Sequence, residues 1–89
     1  MRHRRRRRVT IDEAILTLAA EKGASSSITP EDAARAVDPE KWRTHMGEVR
    51  GAAVRLAKEG RIVILRKGKP VDPENFKGVI RLRIVDGQS

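Results

Sequence analysis

The sequence predicts an α+β fold of the winged helix-turn-helix type: three helices followed by a two-stranded β-hairpin wing, with a short extra strand near Ile28 as a further option. Three observations predict it. Apolar residues recur at helical spacing through the first part of the chain and switch to strand-like alternation near its end. Helix-capping residues punctuate the first part at Thr10, Thr29 and Asp38. A stretch rich in Gly, Pro and Lys, KGKPVDPENFKG, separates the two strand-like segments as a long hairpin loop would.

The first helix is marked at both ends. Thr10 is a good N-cap, Glu13 three residues on completes a capping box, and Gly23 supplies the stop. Ile11, Ile15, Leu18 and Ala19 fall on one face. After the polar connector ASSSI, the second helix starts with Thr29 as cap, Pro30 in the first helical position and two acids in the first turn; it ends near Val37.

The third helical segment restarts at once, with Asp38 as cap and Pro39 in the first turn. Trp42, Met46, Val49, Ala53 and Leu56 stay within an arc of about 80° at ~100° per residue, a coherent buried face. Gly60 ends it. Gly47 leaves two versions open: one helix from about residue 39, or a short turn followed by a main helix over 47–59. In the second strand Ile80, Leu82 and Ile84 alternate with Arg81 and Arg83, the period of a half-buried strand. The string VDPE occurs at 37–40 and again at 71–74, which predicts a helical turn near 73–76 with Phe76 folded back onto the body.

Composition narrows the function. The 89 residues suit one domain plus a tail, and a domain of this size buries only about 60% of the surface its unfolded chain exposes. With one Trp, one Phe and no Tyr, its core is thin, which weighs against an enclosed small-molecule substrate site. There is no cysteine, hence no disulfide or thiolate chemistry. No apolar run approaches a membrane span, and Asp12 and Glu13 interrupt what would be the apolar core of a signal peptide. A cytoplasmic location and no membrane partner are expected.

Charge is sorted along the chain, whose total is +8. Residues 1–8 hold six Arg and no acid, net +6; residues 9–40 carry net −5; residues 41–89 carry net +7. The expected organisation is a disordered arginine-rich arm over 1–8, a winged-helix domain over 9–85 and a tail over 86–89. Local positive potential is what a phosphate-binding surface needs, and here it coincides with the third helix and the wing.

Over roughly residues 10–84 the chain resembles a family of small bacterial winged-helix proteins catalogued only as a domain of unknown function. The residues that carry the resemblance are Trp42-Arg43, Met46, Val49-Arg50, Gly60, Arg66-Lys67-Gly68, Val71-Asp72-Pro73 and Ile80-Arg81-Leu82-Arg83. Thr29 and Gly47 depart from that family's pattern, which often has Cys and Pro there. A proline at 47 favours a helix starting at that point, so the resemblance implies the broken version of the third segment. It implies a fold and a bacterial setting but no activity.

The candidate nucleic-acid contacts are Arg4, Arg5, Arg6, Arg7 and Arg8 in the arm, Arg43, Thr44, Arg50 and Arg55 on the third helix, and Arg66, Lys67, Lys69 and Lys77 in the wing. Arg43 and Arg50, at the edge of the apolar arc, are equally placed to pair with acids of the first two helices. Arg81 and Arg83 stay open between nucleic-acid contacts and charges that protect an edge strand. Trp42 reads as a core anchor and Phe76 as a plug under the wing, since single-strand binders interleave aromatics and this chain does not. His3 and His45 have no second His or Cys at ligand spacing, which excludes a metal site by pattern. Ser25, Ser26 and Ser27 have no adjacent base, and no Gly-rich phosphate loop opens a helix.

The expectation is therefore a non-enzyme without cofactors that binds nucleic acid. Duplex DNA comes first: the third helix in the major groove, the wing along the backbone, the arm adding phosphate contacts. Two alternatives remain open: a module that docks an acidic protein partner, and an RNA- or ribosome-associated binder.

Overall fold

The computed structural model describes residues 9–85; the arm over 1–8, with Arg4 to Arg8, and the tail over 86–89 lie outside the described residues. Helix α1 (Ile11–Lys22) begins where the capping box requires it. The Thr10 hydroxyl accepts the Glu13 N–H at 3.1 Å, and the Glu13 carboxylate accepts the Thr10 N–H at 3.1 Å. Helix α2 (Pro30–Val37) repeats the device with Thr29 and Asp32, at 3.0 and 3.1 Å.

The third segment is broken. The Asp38 carboxylate accepts the N–H groups of Glu40 and Lys41, closing a turn instead of starting a helix. A 3₁₀ turn over Trp42–His45 follows, and helix α3 runs over Met46–Lys58. This settles the open alternative in favour of the later start. It also corrects the position of Trp42, which is half-buried at the margin of the core and not inside it. Three residues per turn carry its side chain off the face that α3 presents. The end of α3 is a Schellman pair: Gly60 N–H to Ala57 C=O and Arg61 N–H to Leu56 C=O, both 3.0 Å.

The sheet has three antiparallel strands, β1 (Ile62–Arg66), β2 (Lys69–Pro70) and β3 (Arg81–Ile84), in the order β2-β1-β3. Strands β1 and β3 pair as expected, Ile62 with Ile84 through Leu65 with Arg81. Strand β2 was not anticipated from the sequence. It forms because Lys67 (φ 56°) and Gly68 (φ 81°) make a two-residue turn with both residues left-handed, which sets Arg66 opposite Lys69. Pro70 is tolerated because β2 is an edge strand. The helical turn expected near 73–76 is instead a single β-turn, with the Asn75 N–H on the Asp72 carbonyl at 3.0 Å. Phe76 packs against the core as foreseen.

Ile28 supplies the short extra strand position. Its N–H and C=O exchange two 2.8 Å hydrogen bonds with Leu82, which adds the connector to the free edge of β3. Three helices then cover one sheet, an arrangement compatible with a winged helix. The core joins the two layers: Ile15, Ala33, Val49 and Leu56 from the helices meet Ile62, Ile64, Ile80 and Leu82 from the sheet. Ala14, Ala19, Ala34, Ala52 and Ala53 are buried where the helices approach each other, and no polar or charged side chain is buried among the described residues.

Leu56, fully buried where α3 meets the sheet, is the residue that most directly tests this packing. Leu56→Ala is expected to destabilise the domain by about 2–5 kcal/mol in denaturant unfolding. A loss below about 1 kcal/mol is what a surface position gives, and it would contradict the packing.

Candidate functional site

The cations of the described residues include two groups that differ in what holds them. In the first group a carboxylate takes the charge. Arg55 reaches across to α1 and binds Asp12 with both terminal nitrogens, each at 2.8 Å. That bond holds the Asp12 carboxyl below its ordinary range and pushes the Arg55 guanidinium up. Lys58, at the end of α3, pairs with Glu74 of the wing at 2.6 Å. Arg35 pairs with Glu31 one turn earlier at 2.6 Å.

In the second group no carboxylate takes the charge, and some of the cations rest on neutral partners. Arg81 donates through Nε to the Ser27 hydroxyl at 2.6 Å and through Nη2 to the Ser27 carbonyl at 2.9 Å. The Arg66 guanidinium lies beside Gly78: its Nε stands 3.1 Å from where a β-carbon on that residue would sit. Gly78 also has φ 88°, so two separate constraints ask for glycine there. Arg50 approaches the same glycine from α3, with Nη2 3.4 Å from its carbonyl oxygen and its guanidinium carbon 5.5 Å from the Phe76 ring centroid. Arg43 rests on Trp42, as does Arg35, each 4.4 Å from the ring centroid. Among the described residues no carboxylate pairs with Arg43, Arg50, Arg66, Lys67, Lys69, Lys77 or Arg81.

The fold brings part of this group together. Arg66, Lys67, Gly68, Gly78, Val79 and Arg81 line one open hollow between the turn of the β1–β2 hairpin and the start of β3. A neighbouring hollow shares Gly78 and Val79 and is walled by Arg50, Met46 and the carboxylate-bearing Glu31, which pairs with Arg35. Val79, 84% exposed, stands between them as an apolar knob. Lys67 holds its left-handed conformation without being glycine, as the two-residue turn requires.

Of the residues singled out from sequence, Arg50, Arg66 and Lys67 meet around Gly78 and Val79. Lys69 and Lys77 are exposed on the wing outside the hollow. Arg43 and Thr44 lie in the 3₁₀ turn, where the Thr44 hydroxyl donates to the Lys41 carbonyl at 2.7 Å. Arg55 is drawn away to α1. Arg43 and Arg50, for which an acidic partner was an equal option, stack on aromatic rings instead.

Sequence reasoning missed Arg81, Ser27 and Gly78. From sequence Arg81 is open between a contact and an edge charge, and Ser27 is only a hydroxyl without a base. The signal available was Ile28, whose strand pairing brings the residue before it within reach of β3.

A second polar cluster sits where α2 gives way to α3. His45 touches two carboxylates, Glu48 from Nδ1 at 3.1 Å and Asp38 from Nε2 at 3.2 Å. Only the imidazolium donates from both nitrogens, so Glu48 first, and then Asp38, raise the His45 pKa. The Lys41 N–H and then His45 lower that of Asp38. No group of three His, Asp or Glu side chains among the described residues is placed to hold a metal. No helix among them is long and apolar enough to cross a membrane.

A family model described as a protein of unknown function, DUF3253, matches residues 8–85. A search of curated proteins returns no match.

The His45 cluster sets a pH dependence. Its contribution to stability is complete below the ordinary imidazole value of 6.5 and is lost as the pH rises through the raised pKa. Asp38 contributes above the ordinary carboxylate value of 3.8, and that contribution is lost as the pH falls through its lowered pKa. An NMR titration of His45 is expected to show a midpoint above 6.5. His45→Gln should remove that part of the melting-temperature decline on the alkaline side; a midpoint at or below the ordinary value means the clamp does not form.

Proposed function

The chain belongs to the DUF3253 family of proteins of unknown function, and from that footing we propose that it is a winged-helix protein that binds nucleic acid, duplex DNA ahead of RNA, through its wing and the adjoining sheet. The observation that carries this reading is that Arg81 is oriented by Ser27, a neutral partner, and that Arg66 lies beside Gly78 with no carboxylate partner among the described residues, so that both charges stay uncompensated. Arg55, by contrast, has its charge met by a carboxylate, that of Asp12. An arginine ordered by neutral groups has already lost its rotamer freedom, so an arriving phosphate receives a charge-assisted bond at reduced entropic cost. Lys67 adds a third cation to the same hollow, and Arg50 a fourth beside it.

The arm extends the reading, with six arginines in residues 1–8 acting as an amplifier of affinity. Compared with the expectation from sequence, this reading moves the contact from the third helix towards the wing, because Arg55 is occupied. The cytoplasm, where nucleic acid is available, is the setting that goes with this role.

In a salt titration against duplex DNA, log K is expected to fall linearly with log salt at a slope near −0.9 per phosphate neutralised. Arg66→Gln and Arg81→Gln should each flatten that slope by about 0.9, whereas Lys22→Gln, on α1, should not. Deleting residues 1–8 should flatten it further and leave residual binding. If the arm-deleted chain has no affinity for duplex DNA or structured RNA at low salt, the reading fails.

Lys67→Asn should act in opposite directions on two measurements. It relieves a left-handed lysine and raises stability by up to about 1 kcal/mol, while flattening the salt slope by about 0.9. A variant that is stabilised yet keeps the full slope would remove Lys67 from the interface.

A further inference from the structure

Resting on the nucleic-acid reading above, we propose that the protein binds duplex DNA without reading its sequence: phosphate contacts from the wing supply the affinity, and α3 offers no side chain free to read base edges. The outward residues of α3 are Gly47, Glu48, Gly51, Arg55 and Lys58. Base-edge recognition in the major groove needs long side chains with free donors or acceptors, aimed away from the protein. The two glycines have none. Glu48 is engaged by His45 at 3.1 Å, Arg55 by Asp12 in a bidentate pair, and Lys58 by Glu74 at 2.6 Å.

The partners of these three come from three different places: the turn before α3, the first turn of α1, and the wing. Arg50, the remaining long side chain of α3 with a free charge, is turned towards Gly78 and Phe76, on the wing side of the helix. Its charge therefore joins those of Arg66, Lys67 and Arg81 around Val79. Such a set of point charges and planar guanidiniums suits phosphate oxygens, which every duplex presents at the same spacing. The arm adds charge of the same sequence-independent kind.

The test is a selection by the full-length chain from a randomised duplex pool, followed by dissociation constants for AT-rich, GC-rich and mixed duplexes at one salt concentration. The expected result is no enriched consensus and affinities that agree within about tenfold, against the roughly 10³-fold or greater preference of proteins that read bases. Arg66→Gln and Arg81→Gln should weaken binding to all these duplexes by a common factor. An enriched consensus with a tenfold or larger preference overturns the inference, as does a loss in either variant that differs between duplexes by tenfold or more. Either result leaves the nucleic-acid reading standing; absence of binding to every duplex at low salt overturns both.

Discussion

Two backbone hydrogen bonds of 2.8 Å, exchanged between Ile28 and Leu82, join the helical half of the molecule to its sheet. Leu82 is fully buried and pairs on its other side with Ile64 of β1, so β3 is held from both edges at its centre. That position fixes where the connector after α1 must pass, and with it the start of α2 at Thr29. It also sets Ser27 beside Arg81, the contact that orients an uncompensated guanidinium. Packing and candidate function thus depend on the same short bridge.

The charges follow a division that composition alone conceals. Cations on the outward face of α3 are tied to acids of other elements, which fastens α3 to α1 and to the wing. Such exposed pairs contribute little to stability one by one, but each removes a donor from the surface. On the wing side Arg81 is held by a serine, Arg50 rests on a phenylalanine and Arg66 lies beside a glycine. The same residue type, arginine, therefore serves as a clasp at 55 and as a presented charge at 66 and 81. Only the identity of the partner separates the two roles.

Where the sequence was legible, the determining interactions are local. The Thr10–Glu13 box spans three residues and needs nothing beyond them. The alternation of Ile80, Leu82 and Ile84 with arginines marks a half-buried strand wherever that strand lies. Legibility declined where two local solutions compete, as between Asp38 and Gly47: a continuous helix and a turn followed by a 3₁₀ segment suit the same residues. It failed at β2, because Lys67-Gly68 is a weak hairpin signature beside Asn-Gly, and Pro70 argues against a strand unless the strand is known to be an edge.

By itself the sequence determined the starts of α1 and α2, the strand alternation, most of the apolar set that forms the core and the sorting of charge along the chain. Each of these rests on interactions within a few residues or on composition. The tertiary structure alone decided which charges remain available. Arg55 meets Asp12 across 43 residues and Arg81 meets Ser27 across 54. At such separations the partner is set by packing of helices and sheet, and neither periodicity nor spacing carries that information. A guanidinium's role depends on what neutralises it, so the site could be read only after the core had brought the partners together.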